Sequence, residues 1–158
     1  MIYTGYFVKC KSNNGVAICL YPPKGFNGET YKALAPTERL LQWWKESPQD
    51  KRTQEIYKRL YYRDVLNHLN VHDVARALQD KILLCYEKAE DFCHRRIVAE
   101  WLNSNGYKCE EADQETYQLY ELFGKKLKII EGWVHPYLPC IKINVNKYLT
   151  SIIIYDII

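Results

Sequence analysis

Apolar and polar positions alternate in period along the chain, and each change of period marks an element. Ile2 to Lys9 alternates and is rich in Tyr, Phe and Val, which predicts a strand; Ser12-Asn13-Asn14-Gly15 predicts a turn, and Val16 to Leu20 a second, shorter strand. Tyr21 to Asn27 holds two prolines and two aromatics and is expected to be loop, continuing through Gly28 to Thr37. Pro36 or Thr37 can open a helix that carries Leu40, Leu41, Trp43 and Trp44 and ends near Ser47-Pro48.

Three- and four-residue spacing then takes over. A helix is expected from about Asp50 to Leu69, with Ile56, Leu60, Val65, Leu66 and Leu69 on its apolar side. Asn70 suits an N-cap for a short helix over Val71 to Gln79. Ile82 to Tyr86 is a continuous apolar run, the mark of a central strand covered on both faces. Asp91 is a good cap for a helix from Phe92 to Ser104, closed by Asn105-Gly106, and Tyr107 to Cys109 reads as another strand. Gln114 to Phe123 predicts a further helix ended by Gly124. Ser151 to Ile158 is strand-prone, so the C-terminal region is expected to pair, pack or form a homodimer, because a bare edge of that composition aggregates. Strand, helix and strand in this order predict a single α/β domain over 1–158, a mostly parallel central sheet flanked by helices in a Rossmann-like three-layer arrangement.

Composition narrows the partners. The 158 residues carry 22 basic and 19 acidic side chains, a net charge of +3, which is too weak and too spread to argue for nucleic acid. Lys51-Arg52, Lys58-Arg59 and Arg63 are basic but read as a solvated helix face. No apolar stretch approaches the roughly 20 residues of a membrane helix, and the first residues lack the pattern of a signal peptide, so a cytoplasmic protein without a membrane partner is expected. Six widely spaced cysteines with no Cys-x-x-Cys pair point to reduced thiols, not to zinc or a disulfide framework. His68 and His72 straddle the break at Asn70, so they are not expected to share a metal. No metal and no cofactor is expected.

The chemistry concentrates where the central strand gives way to the following helix. A helix start offers unpaired N–H groups and a partial positive charge, which attract anions and lower a nearby cysteine's pKa. Cys93 is the candidate nucleophile and His94 a proton-transfer group, although successive helical residues point about 100° apart and need not meet. Glu87 can orient His94 or accept a ligand hydroxyl. Arg95 and Arg96 have the fork geometry for phosphate or carboxylate, and Lys88 and Asp91 lie beside them. Cys85, on the strand itself, reads as packing. Lys24, Tyr31 and Thr37, on the loop after the second strand, can fold over the same crevice at the carboxyl ends of the strands.

The block from Ile82 to Leu102, ILLCYEKAEDFCHRRIVAEWL, resembles domain-of-unknown-function family 488. The resemblance rests on Leu84-Cys85-Tyr86-Glu87-Lys88 at a strand end and on the triplet Cys93-His94-Arg95 at a helix start. Tyr31-Lys32-x-Leu34-Ala35-Pro36-Thr37 looks like its counterpart in a branch of small members, including phage-encoded ones. It covers roughly residues 1–111, leaving 112–158 as an extension, and the arginine-rich loop of many members is replaced here by the Cys10 to Gly15 turn. It implies an α/β fold with a cleft at the triplet and brings no activity with it. The leading expectation is a protein that binds a small anionic, phosphorylated or nucleotide-like ligand at this helix start, with catalysis on that ligand left open. The rival is a non-enzymatic phage or mobile-element accessory protein that captures a nucleotide signal or a host protein. A rhodanese- or phosphatase-type thiol enzyme would join the cysteine directly to the strand end, whereas Cys93 comes eight positions after Cys85.

Overall fold

Five parallel strands form one sheet in the order β3-β2-β4-β1-β5 in the computed structural model, which describes residues 1–10 and 15–121. The strands are β1 (Ile2–Tyr6), β2 (Gly15–Ala17), β3 (Glu29–Thr30), β4 (Ile82–Cys85) and β5 (Cys109–Glu111). The helices are α1 (Glu38–Glu46), α2 (Lys51–Asp64), α3 (Val71–Ala77), α4 (His94–Ser104) and α5, over 114–121. The expected α/β class and parallel sheet are both present. The predicted turn at Ser12 to Asn14 and the strand-prone segment from Ser151 lie outside the described residues.

β4 takes the central position for the reason its sequence suggests. All four of its residues are buried, so no polar side chain has to be solvated on either face. It pairs with β1 on one side (Tyr3 opposite Ile82) and with β2 on the other (Gly15 opposite Ile82). Successive side chains of a strand face opposite ways. Leu83 therefore joins Ile2, Val16 and the apolar sides of α1 to α4, while Ile82 and Leu84 face the layer that holds Ala112 and Tyr117. The layers are unequal: α1, α2, α3 and α4 cover one face, and α5 the other among the described residues. Gly5 lets α5 approach, since a Cβ there would stand 2.3 Å from the Tyr117 hydroxyl oxygen.

Capping places the helices close to their expected limits. Thr37 and Asp50 accept from the main-chain N–H groups of Leu40 and Thr53, and Asn70 caps α3 through His72 and Asp73. Gly106, at a φ of 84°, closes α4. Four expectations are corrected. The stretch from Gly28 to Thr37 is not plain loop, because Glu29–Thr30 adds an edge strand beside β2 and Lys32–Leu34 makes a 3-10 turn. The long second helix stops at Asp64 and passes into a separate 3-10 turn, Leu66–His68, where Val65 leaves helical geometry. β5 starts at Cys109, not Tyr107. The fourth correction matters most: Asp91 does not cap α4. Its carboxylate accepts from the Lys88 N–H at 3.3 Å, which shapes the loop, and Cys93 in extended conformation is the cap residue.

Candidate functional site

All strands run parallel, so their carboxyl ends share one edge, and the loops leaving β2 and β4 meet there. Between these loops and the flanks of α1 and α2 lies a cleft of about 370 Å³. Cys85, Glu87, Cys93 and His94 form its chemical end, and Tyr21, Trp44, Tyr57, Tyr86 and Phe92 supply aromatic surface, with Lys45 beside them. Trp44, Tyr57 and Phe92 hold each other at centroid distances of 4.8 to 5.5 Å. Each such pair is worth about 0.5–1.5 kcal/mol beyond its burial, so this wall is a firm one.

The reactive groups are fixed by backbone. His94 Nε2 lies 3.0 Å from the main-chain oxygen of Ile18, which only accepts, so Nε2 carries hydrogen and donates. The Nδ1 atom is thereby left for the sulfurs, standing 3.8 Å from Cys85 Sγ and 3.8 Å from Cys93 Sγ. The 100° divergence of neighbouring helical side chains does not apply to Cys93 and His94, because Cys93 precedes the helix with φ −150° and ψ 145°. Cys93 Sγ is also 3.0 Å from Glu87 Oε2.

Burial alone would raise the Cys93 pKa, but the hydrogen bond from Cys85 and the charge on His94 outweigh it and bring the thiol down to about 6. Its hydrogen bond to Cys93, together with burial, drives Cys85 strongly the other way, so Cys85 keeps its proton. Burial would lower His94, yet the facing Cys93 charge lifts it above its ordinary value. Burial would likewise raise Glu87, and hydrogen bonds from Cys85 and Cys93 hold it low instead. A thiolate and a carboxylate 3.0 Å apart need a proton between them, so the Cys93–Glu87 contact describes the thiol form. On ionisation the proton belongs on His94 Nδ1, and the positive end of α4, whose cap is Cys93, favours that thiolate–imidazolium form.

A family model described as the active DUF488-N3 subclade matches residues 11–106. The chain belongs to this family. The match takes in the loop after β2, both cleft-forming helices and the whole of the Cys93-His94-Arg95 triplet, and it stops before β5. No curated protein and no solved structure matches.

Of the residues singled out in the DUF488 triplet region, Cys93, His94 and Glu87 come together on the cleft. Arg95 does not face it. Its guanidinium is fully buried and spent on the chain itself, donating to the Glu87 and Lys88 carbonyls at 2.6 and 2.8 Å and to the Glu111 carboxylate at 3.1 and 3.3 Å. A guanidinium so engaged braces the β4–α4 loop against β5, and its remaining charge faces the Cys93 sulfur within the protein. Arg96 is exposed and borders a second cleft, of about 330 Å³, with Gln54, Lys58 and Glu100. Lys88, Asp91 and Lys24 are exposed and lie outside the lining of the aromatic cleft. Tyr31 and Thr37 also lie outside it: Tyr31 packs against the core and its N–H donates to Ala17, while Thr37 caps α1.

Sequence reasoning missed three parts of this site. Cys85 is a partner of His94 as well as a packed residue; its position on a strand hid that. The Ile18 carbonyl that orients His94 is main chain, so no residue type signals it. Trp44 and Tyr57 belong to helices far from the triplet in sequence, so nothing in the linear order joined them to it.

Proposed function

We propose that this protein is a thiol-dependent enzyme that acts on a small nucleotide-like ligand, with Cys93 as nucleophile. The observation that carries the reading is Cys93 at the start of α4, 3.8 Å from a histidine nitrogen whose other nitrogen is tied to a carbonyl. Nucleophile, base and orienting acceptor are the three parts that activated thiols use. The aromatic wall suits a planar ring, and Lys45 is placed for an anionic substituent. The family description speaks of an active subclade, which supports a working site here.

In the proposed reaction the thiolate bonds to an electrophilic carbon of the ligand. The leaving group departs with the proton held at His94 Nδ1. A water molecule then gives a proton to the same nitrogen and breaks the carbon–sulfur bond, which restores the thiolate–imidazolium pair. Glu87, beside the sulfur, keeps the imidazolium favourable.

The test is a thermal-shift screen of nucleotides and sugar phosphates on the wild-type chain, Trp44→Ala and Cys93→Ala, followed by turnover of any stabilising compound. A ligand of the folded form raises Tm by mass action. A nucleotide is expected to stabilise the wild type and Cys93→Ala alike, to stabilise Trp44→Ala less, and to be turned over by the wild type alone. Turnover by Cys93→Ala at the wild-type rate would refute the assignment. Binding with no turnover by either would instead favour a non-enzymatic receptor.

A further inference from the structure

Cys85, Cys93 and His94 present two sulfurs and one imidazole nitrogen, all three residues buried and the donor atoms within 4.8 Å of one another. A tetrahedral zinc ion, with about 2.3 Å to sulfur and about 2.0–2.1 Å to nitrogen, holds such S and N donors roughly 3.6 Å apart. Both sulfurs stand 3.8 Å from His94 Nδ1 and all three donor atoms lie within 4.8 Å of one another, so side-chain shifts of up to about an ångström would seat the ion.

A second feature points the same way. Histidines that bind metal through one ring nitrogen nearly always donate the other N–H to a carbonyl or carboxylate, which fixes the ring and raises its basicity. His94 Nε2 does this with Ile18 at 3.0 Å. The three donors also line the 370 Å³ cleft, which leaves a fourth position facing open space. Three protein ligands and one open position is the arrangement of a zinc ion that exchanges its fourth ligand, not of a closed structural site.

We infer that Cys85, Cys93 and His94 form a binding site for a thiophilic divalent cation, zinc above all, whose fourth position opens into the aromatic cleft. Bound zinc takes the sulfur of Cys93, so the cation and the thiol reaction exclude one another. The site does not rest on that reaction: its test needs no organic ligand, and turnover in metal-free buffer needs no cation.

Cobalt(II) added to the reduced full-length chain is the probe. One equivalent is expected to give thiolate-to-cobalt charge-transfer absorption with the visible bands of a tetrahedral ion, bleached by one equivalent of zinc. Cys85→Ala and Cys93→Ala are expected to lose the charge-transfer band or halve it, while Cys19→Ala and Cys109→Ala keep it. In the wild type, one zinc equivalent should also shield Cys93, the low-pKa thiol, from an alkylating agent at neutral pH, mapped by peptide mass; this holds the inference open to refutation even where a variant fails to fold. Absence of the band at one equivalent, or a band indifferent to loss of Cys85 and Cys93, would overturn it.

Discussion

At the scale of single residues, the ionisation of Cys93 is set by its neighbours, and its pH dependence follows. Below about 6 the sulfur holds its proton and is unreactive; above that value the thiolate is populated, well under the ordinary 9.0. Alkylation of Cys93 is therefore expected to be fast at neutral pH and to fall as pH drops through about 6. Cys85, whose proton is held by Cys93 and by burial, is expected to stay unlabelled there. His94→Gln keeps a donor for the Ile18 carbonyl but removes the charge, so the midpoint is expected to move up toward 9.0. A pH series with iodoacetamide, read by peptide mass, checks both; an unmoved midpoint in His94→Gln would show that the imidazole plays no part in activating the sulfur.

At the scale of elements, Arg95 is the piece that ties α4, the β4–α4 loop and β5 together. Thr4 of β1 donates to the same Glu111 carboxylate at 2.6 Å, so four segments converge on one ion pair whose arginine is buried and whose carboxylate keeps contact with water. Removing one member of a fully buried pair strands the other and typically costs about 3–5 kcal/mol. Arg95→Met is expected to lose stability at the lower end of that range, because Glu111 keeps partial contact with water. Arg95→Lys should not restore it, since an ammonium cannot fill two carbonyls and a carboxylate at once. Urea unfolding curves measure both. This role was illegible in the sequence for a physical reason: a fork of five donors matches an internal carboxylate and a ligand phosphate equally well. The cap of α4 was misread similarly. Asp91 has the better capping side chain, yet the cap lies two residues beyond it at Cys93, and that small displacement is what turns Cys93 and His94 from diverging neighbours into a pair. By contrast β4 was plain, because an uninterrupted Ile-Leu-Leu-Cys run has few other places to go.

At the scale of the whole molecule, the unequal layers separate scaffold from chemistry. The cleft lies on the side of α1, α2 and α4, whereas α5 packs on the opposite face over Gly5. Gly5→Ala is expected to push Tyr117 away and to cost about 1–3 kcal/mol through overpacking. The alkylation rate of Cys93 should be unchanged in the same variant, because no cleft residue touches that contact; thermal unfolding and labelling of one sample test the separation. The parallel sheet and the edge that carries the site followed from the order of apolar runs, but the depth of the cleft did not, since its walls come from α1 and α2 and meet the triplet only in three dimensions. The tether between His94 and Ile18 carries one more consequence. An imidazole in the open can take a proton on one side and pass it out on the other; this ring is blocked at its back by peptide. Whatever proton it collects from sulfur has a single exit, through the cavity, so the traffic of protons here depends on what fills that space, water or guest.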